Sequence, residues 1–295
     1  MVLKVAILGN CQGEFYQNLF GLHKDLFQVQ RTKMLFLQGS DYSDEFHSIV
    51  DNSDYVVSRY FGHGLKFLPA VTSNLRERLG KKLIVFPNIY YSGYFPDFFV
   101  PYTMKGKPVG GLAGDYHSRT IHNAYKQRMS EKEAADAVLS PELRKTYQDA
   151  VASSLAYLKE REDESDVKVS DLVVDGRGGM RDLYTYNHPT NQVMFRVFER
   201  ITERMGVGPL RIEGDPLVRA TLDGVVLPIY PFLTVQNNLA PEAGSYTWLR
   251  KLPPEQRSTG HQHRAVELDE MVADAYRRYA ETGVTQVKLP SRATG

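Results

Sequence analysis

The sequence predicts a protein of the α/β class, in which a parallel sheet with flanking helices precedes a largely helical C-terminal half. Short apolar segments rich in branched residues recur through the first part of the chain, at 2–8, 27–37, 54–58 and 82–87. Helix-like segments separate them, and strands that alternate with helices are typical of a parallel sheet. From residue 130 onward helical patterns dominate.

The elements of the first half follow from these patterns in order. Residues 2–8 are short, apolar and branched, which is typical of a buried strand. A helix is predicted over about 14–22, where apolar residues share one face. A second helix over 68–79 should end at Gly80, because glycine is the usual residue just past a helix C-terminus.

The second half begins with an irregular segment and then turns helical. Residues 88–120 are rich in aromatic residues, glycine and proline, and a long loop of this kind in a compact domain is usually functional. Ser130 and Glu133 have the spacing of a capping box. Helices are predicted over 130–164, 187–205 and 265–281. We interpret 1–125 as an α/β core and 126–290 as a helical region that completes the site, within one continuous domain.

The composition limits the classes of function. Among 295 residues, lysine plus arginine number 36 and aspartate plus glutamate 35, which gives no bulk attraction to nucleic acid or an anionic membrane. No apolar stretch approaches the roughly 18 residues of a transmembrane helix. One cysteine forms no internal disulfide and favours a cytoplasmic protein. A single cysteine also disfavours a zinc site, so we predict no metal, although the eight histidines leave a metal site of His and Asp open. The sequence is compatible with a homo-oligomer.

A glycine-flanked turn, Gly9-Asn10-Cys11-Gln12-Gly13, joins the first strand to the first helix. Open α/β sheets bind ligands at the carboxyl ends of their strands, where the N–H groups of the next helix also point. A cysteine there gains thiolate character, and the Asn10 or Gln12 amide suits an oxyanion. Cys11 is therefore a candidate nucleophile, with a buried structural cysteine as the alternative. The turn lacks the glycine spacing of a dinucleotide-binding loop.

A histidine stands at the predicted start of a later helix. His188 precedes Pro189, which holds the imidazole at a loop end. Such a histidine suits a general base that reaches a nucleophile from another part of the chain, and Asp182 is a candidate orienting carboxylate. A helix-cap or surface histidine and a plain loop acid are the alternatives.

Polar groups are also dense in the segment 114–119. It combines an acid, a base, a hydroxyl and a guanidinium, which makes Asp115, His117 and Arg119 candidates for a site. A polar helix start with Asp115 as its N-cap explains the same residues. The aromatic loop at 88–98 suits the wall of a sugar or adenine site, or it packs simply as a loop.

The order of these motifs resembles the WcbI-type family of polysaccharide biosynthesis proteins over about residues 3–205. The resemblance rests on the Gly-Asn-Cys-Gln turn, the Pro-Asn to Gly-Tyr-x-Pro-Asp stretch at 87–97, Asp-Tyr-His-Ser at 115–118 and Asn-His-Pro at 187–189. Family members are linked to capsule assembly and are described as coenzyme A-binding acetyltransferases. The layout is also similar to SGNH hydrolases, with Cys11 at the serine position of an SGNH- or flavodoxin-like core. The late Asp-x-x-His of that group is absent, since Thr185 lies three residues before His188.

The resemblance implies acyl transfer from acetyl-coenzyme A to a sugar or polysaccharide acceptor. Cys11 would attack the thioester with His188 or His117 as the base and Asp182 or Asp115 as its partner, or transfer would be direct. The residues expected to contact coenzyme A lie in the turn, the aromatic loop and the basic segments: Gly9, Asn10, Gln12, Gly13, Asn88, Tyr94, Arg119, Arg177 and Arg181. A thiol esterase of SGNH-like layout and a non-catalytic glycan- or nucleotide-binding protein are the alternatives.

Overall fold

The structure, a computed structural model, describes residues 2–30, 43–103, 105–174, 180–212, 222–258 and 262–283. Strands and helices alternate first, as β1 (Leu3–Leu8), α1 (Cys11–Leu22), β2 (Phe27–Gln30), α2 (Ser43–Asp51), β3 (Tyr55–Arg59), α3 (Thr72–Leu79) and β4 (Leu83–Phe86). A pair of two-residue strands and a run of helices follow, as β5 (Phe98–Phe99), β6 (His117–Ser118), α4 (Arg119–Lys126), α5 (Glu131–Leu139), α6 (Glu142–Thr146), α7 (Ala150–Glu162) and α8 (Ser170–Val174). The last elements are β7 (Leu183–Thr185), β8 (His188–Pro189), α9 (Asn191–Arg204), β9 (Val225–Val226), α10 (Pro231–Gln236), β10 (Trp248–Lys251), β11 (His263–Val266) and α11 (Leu268–Thr282). None of the helices in these ranges is long and apolar enough to cross a membrane.

The central sheet is parallel, with the strand order β2-β1-β3-β4. Its register places Leu8 of β1 opposite Ser58 of β3, and Arg59 opposite Phe86 of β4. The carboxyl ends of these three strands therefore meet at one edge, where ligands of open α/β sheets bind. The predicted α/β class with a parallel sheet is confirmed.

Helices cover both faces of this sheet. Val5 and Ile7 of β1 point to the face that packs against α1 and α9, whereas Ala6 and Leu8 point to the face covered by α2 and α3. All four side chains are buried. Burial on both faces explains why β1 reads as a continuous apolar run rather than an alternating one.

Some predicted boundaries need correction. The first helix begins at Cys11 rather than near residue 14, because Asn10 caps it with its side chain. The segment predicted as one helix over 68–79 is a 3₁₀ turn at Leu68–Ala70 followed by α3, which ends at Gly80 with a φ of 53° as expected. The second predicted strand is confirmed over Phe27–Gln30, and the rest of that prediction, 31–37, lies outside the described residues.

The C-terminal half is helical as predicted, with an addition. Ser130 and Glu133 form the expected capping box, and α11 ends at Gly283 with a left-handed φ of 60°. An antiparallel sheet of β9, β10 and β11 was not predicted. Its strands are two to four residues long and carry several exposed polar residues, so they leave no alternating apolar pattern to detect.

A buried carboxylate joins the irregular loop to the helical half. Asp97 is fully buried and accepts hydrogen bonds from the hydroxyls of Ser118, Thr120, Tyr147 and Tyr230, and from the N–H of Thr120. Burial raises the pKa of this carboxyl, although the four hydroxyl donors pull it down. The side chain therefore fixes the start of α4 against distant parts of the chain.

Replacing Asp97 by alanine should lower the free energy of unfolding by about 3–5 kcal/mol, because several buried donors would lose their acceptor. Urea denaturation followed by circular dichroism measures the change. Asp25→Ala is the matched control, since Asp25 is exposed in a turn, and it should shift stability by less than about 0.5 kcal/mol. Equal stability of the two variants would show that the Asp97 cluster is energetically unimportant.

Candidate active site

Cys11 is the first residue of α1, directly after the turn at the carboxyl end of β1. The Oδ1 atom of Asn10 accepts a hydrogen bond from the N–H of Gln12 at 3.1 Å, which sets the start of the helix. The side chain of Cys11 is partly buried and packs against the main hydrophobic core. The thiol is thus held in place at the edge where β1 and β3 end.

The two glycines of the turn shape the backbone. A Cβ atom on Gly9 would lie 2.8 Å from the Cα of Gly13, which is closer than two such carbons approach. Gly9 therefore permits the sharp crossing from strand to helix. The structure accounts for Gly9 by this close approach, and the expected contact of Gly9 and Gly13 with coenzyme A stays a prediction.

Gln12 ties three chain segments together beneath Cys11. Its side chain is fully buried, and its Nε2 donates to the carbonyls of Ile89 and Asn187, each at 2.9 Å. Its Oε1 accepts from the N–H of Ile89 at 3.1 Å. The loop after β4 and the segment before His188 are thereby fixed to the helix that begins at Cys11. The amide is fully used, so it is unsuited to holding an oxyanion as predicted.

Gln12→Ala should therefore destabilise the fold by about 2–4 kcal/mol, because it removes three hydrogen bonds and leaves buried backbone groups unpaired. Gln17→Ala on the same helix is the matched control and should cost well under 1 kcal/mol, since the Gln17 side chain is only half-buried. Chemical denaturation of both variants measures the difference. Similar losses in the two would contradict the role assigned to Gln12.

A hydrogen-bonded cluster lies beside the segment that Gln12 holds. The hydroxyl of Tyr116 donates to Oδ1 of Asn187 at 2.7 Å, and Thr185 donates to the same oxygen at 2.9 Å. Burial raises the pKa of Tyr116 to about 12, and the nearby sulfur of Cys11 adds to the rise. The ring of Tyr116 also contacts the imidazole of His188 edge-on, with centroids 6.1 Å apart. Tyr116 thus has both the thiol and the imidazole in its surroundings.

The protonation states of Cys11 and His188 follow from their burial. Burial raises the pKa of the Cys11 thiol, and the N–H groups of Gln12 and Cys11 and the Arg59 guanidinium lower it by less. The expected gain of thiolate character is therefore wrong for the resting protein. Burial lowers the pKa of His188, whose Nδ1 is buried without a hydrogen-bond partner. The resting pair is a neutral thiol and a neutral imidazole.

Two arginines that the sequence analysis missed lie at the same edge. Arg59 is the last residue of β3, and its Cζ lies 4.3 Å from the ring centroid of Phe61. Arg161 of α7 donates to the carbonyl of Asn88 at 3.3 Å and to the hydroxyl of Tyr157 at 2.9 Å. The position of Arg59 just at the end of a predicted strand was the available signal, since that edge is where ligands bind.

Two of the predicted contact residues, Asn88 and Arg119, are near this edge. The side chain of Asn88 accepts a hydrogen bond from Asn10 at 2.9 Å, which links it to the turn. The Cζ atom of Arg119 lies 5.0 Å from the centroid of the Phe99 ring. Arg119 also lowers the pKa of Tyr90, which burial has raised. Both residues therefore lie at the loop after β4, which Gln12 and Arg161 fix by hydrogen bonds to its carbonyls.

The structure corrects the assignment of the 114–119 segment. His117 is buried, with its Nδ1 2.8 Å from the hydroxyl of Tyr279 and its Nε2 2.9 Å from the carbonyl of Val109. Both ring nitrogens are occupied, so His117 is not available as a base for Cys11. Asp115 is exposed, and the N-cap of α4 is Ser118, whose hydroxyl accepts from the N–H of Ile121.

Three further predicted residues have structural contacts instead. The buried hydroxyl of Tyr94 donates to Asp182 at 3.0 Å and to the carbonyl of Val173 at 3.1 Å, so Tyr94 is not exposed to a cofactor. Asp182 therefore accepts a hydrogen bond from this phenol, and the shift in the pKa of His188 comes from burial. Arg181 donates to the carbonyl of Leu227 at 2.8 Å. Arg177 lies outside the described residues.

The fold and this edge define an α/β protein with a cysteine on the first strand-to-helix turn and a late Asn-His-Pro segment fixed beside it. The family model described as polysaccharide biosynthesis enzyme WcbI matches residues 4–210. The chain therefore belongs to the WcbI family of polysaccharide biosynthesis enzymes, which confirms the resemblance seen in the sequence.

A solved structure shares the fold over nearly the whole chain. It is 15% identical, covers 95% of this chain and 96% of its own, and has a TM-score of 0.69. It is described as WcbI, a novel polysaccharide biosynthesis enzyme, in the native form without the disulfide bond between coenzyme A and a cysteine. No curated protein matches this chain.

Proposed function

We propose that this chain is an acetyl-coenzyme A-dependent O-acetyltransferase that modifies a sugar or polysaccharide, with Cys11 as nucleophile and His188 as base. The observation that carries the proposal is the placement of Cys11 at the first position of α1, with Gln12 fixing the segment of His188 beside it. The family name supports a polysaccharide as acceptor, and the neighbour's description supports coenzyme A as the partner of a cysteine.

The resting charges suit general base catalysis. A neutral thiol is a weak nucleophile, and a neutral imidazole accepts its proton as the sulfur attacks. His188 is kept neutral by burial, and no carboxylate in the described ranges raises its pKa. The pair therefore resembles serine with histidine more closely than a preformed thiolate–imidazolium pair.

Acetyl-coenzyme A supplies the acetyl group as a thioester. The sulfur of Cys11 forms a bond to the acetyl carbon as His188 takes the thiol proton, and the carbonyl π electrons move onto the acetyl oxygen. These electrons then return, the bond from the acetyl carbon to the coenzyme A sulfur breaks, and His188 gives the proton to that leaving sulfur. The N–H groups of Cys11 and Gln12 lower the pKa of the thiol and so favour the loss of its proton as the sulfur attacks. The acceptor hydroxyl then gives its proton to His188 and attacks the acetyl group, which restores the thiol.

The described residues at this edge leave an orphan atom for such a ligand. Nδ1 of His188 is buried and has no hydrogen-bond partner. Buried polar groups are normally paired, so unpaired ones at a candidate site call for a ligand. Asn88 and Arg119, which surround the loop, are the residues from the predicted contact set that we retain for the donor.

The direct test is mass spectrometry of the intact protein after incubation with acetyl-coenzyme A. We expect one acetyl group per chain, because Cys11 is the chain's one thiol. Alkylation of that thiol by iodoacetamide before the incubation should prevent acetylation. Coenzyme A should also raise the melting temperature. No binding of coenzyme A by calorimetry would refute the proposal, and release of acetate at full rate without any sugar would indicate a thiol esterase instead.

A further inference from the structure

Two guanidinium groups, of Arg59 and Arg161, lie at the edge of the sheet where Cys11 is placed, and the acid that acts on the thiol, Glu14, is exposed. Nε of Arg59 is buried and unpaired, and the guanidinium rests on the ring of Phe61. Arg161 is held by the rings of Tyr90 and Tyr157, at 5.1 and 4.2 Å. Within the described ranges neither side chain forms an ion pair, whereas the partly buried Arg200 and Arg278 do.

Both arginines are placed by the elements that place the thiol. Arg59 ends the strand that pairs with β1, and Ser58 before it lies opposite Leu8. Arg161 bonds to the carbonyl of Asn88, whose side chain bonds to Asn10 next to Cys11. Arg59 lowers the pKa that burial has raised in the Cys11 thiol, and Cys11 raises the pKa that burial has lowered in Arg59. The two side chains therefore act on each other.

Arg161 lowers the pKa of Arg59, and two like charges in a partly dry site are stabilised by an anion that contacts both. The phosphates of coenzyme A are badly placed to supply it. When the donor thioester reaches Cys11, the extended pantetheine arm sets the nearest phosphate roughly 15 Å away, the length of four to five extended residues. The register of β1 and β3 sets Arg59 beside the turn that precedes Cys11, so an anion that contacts Arg59 belongs more naturally to a group close to the reacting carbon.

Building on the transferase proposed above, we propose that Arg59 and Arg161 bind an acidic group of the acceptor, a carboxylate or phosphate carried by the sugar near the hydroxyl that is acetylated. Planar guanidiniums match the geometry of both anions. The tyrosines that hold Arg161 give the same subsite an aromatic side. The acceptor class is thus an acidic sugar, such as a uronic acid or a sugar phosphate.

The charge around Cys11 is measured by comparing two alkylating reagents of nearly equal size. Iodoacetate is an anion and iodoacetamide is neutral, and both react with the same thiolate at a single site. The ratio of their rates therefore cancels any change in the fraction of thiolate. We expect the iodoacetate-to-iodoacetamide ratio in the wild type to exceed that of N-acetylcysteinamide by roughly tenfold, from two charges at partly screened distance.

Substitutions of Arg59 and Arg161 test whether these two side chains cause the raised iodoacetate-to-iodoacetamide ratio. Arg59→Gln and Arg161→Gln should bring it back toward that of the free thiol, and Arg59→Lys should keep part of it. Arg144→Gln is the matched control, since Arg144 is exposed on α6, and it should leave the ratio unchanged. A wild-type ratio no higher than that of the free thiol, or an equal ratio in Arg59→Gln, would overturn the anion subsite.

Protection by sugars identifies the acceptor as the source of the anion. Glucuronate or glucose 6-phosphate at millimolar concentration should slow alkylation of wild-type Cys11 by iodoacetamide, whereas glucose should not, and Arg59→Gln should lose the protection. Equal protection by glucose would overturn the proposal. A tenfold loss of coenzyme A affinity in Arg59→Gln would assign the arginines to the donor and overturn it too.

The same measurements separate this inference from the transferase proposal. If coenzyme A fails to bind the wild-type protein while glucuronate still protects Cys11 through Arg59, the transferase is refuted and the acidic-sugar site stands. If coenzyme A binds and an acetyl group reaches Cys11 but the reagent ratio is that of a free thiol, the transferase stands and the acidic acceptor is refuted.

Discussion

Replacing Cys11 by serine is expected to lower the rate of acetyl transfer by about 10³-fold or more, because the hydroxyl is a far weaker nucleophile for a neutral base to activate. The acetyl adduct on the intact protein should disappear as well. The measurement is single-turnover transfer from labelled acetyl-coenzyme A to a sugar acceptor, with mass spectrometry of the protein in the same samples. The substitution hardly changes volume, so the fold should be retained.

The control is the stability and coenzyme A affinity of the same variant. Both should stay close to wild type, because the thiol is only partly buried and the substitution replaces one small side chain by another of similar shape. If Cys11→Ser transfers acetyl groups within tenfold of the wild-type rate, the acyl-enzyme is wrong. Loss of that remaining transfer in a His188 variant would then support direct attack by the acceptor.

The local part of this site could be predicted from the sequence because it depends on neighbouring residues. The strand, the glycine turn and the helix start lie within a dozen residues, and their signals are short-range. Even there the helix boundary was three residues late, since the side chain of Asn10 acts as the cap and the pattern of apolar residues does not record it.

The long-range part could not be predicted because no local pattern records which way a side chain points. Gln12 meets a carbonyl 175 residues later in the chain, and that contact decides that His188 approaches the turn. The same uncertainty made Tyr94 and Asp182 look like site residues, although the phenol and the carboxylate bond to each other. A motif dense in polar groups is equally compatible with a network that stabilises the fold.

Arg59 shows a different limit. Its position at the end of a strand was visible, but an arginine at a strand end is ordinary unless its partners are known. The structure supplies the missing observation, since the guanidinium has an aromatic ring beneath it and its Nε has no acceptor. The evidence for a functional role of Arg59 is thus a missing hydrogen-bond partner, and a sequence does not show which side chains lack partners.

His188→Asn is expected to lower kcat for acetyl transfer by about 10²–10⁴-fold, the usual contribution of a general base. The wild-type enzyme should show little loss of kcat/KM on going from pH 8 to about pH 6.5, the ordinary pKa of histidine, because burial lowers the pKa of His188 below it. An acid limb should appear only below that pH, when the imidazole becomes protonated and no longer accepts a proton. His63→Asn, at an exposed histidine, is the matched control and should leave the profile unchanged.

The alkaline side of the profile separates a base from a merely structural histidine. Without His188, formation of the Cys11 thiolate depends on the solvent, and burial raises the pKa of that thiol. The acetylation rate of His188→Asn should therefore climb about tenfold per pH unit through the alkaline range, while the wild-type rate stays nearly level. A variant that is slow at every pH would mean that His188 holds the site in shape, whereas recovery at high pH would mean that the imidazole removes the thiol proton.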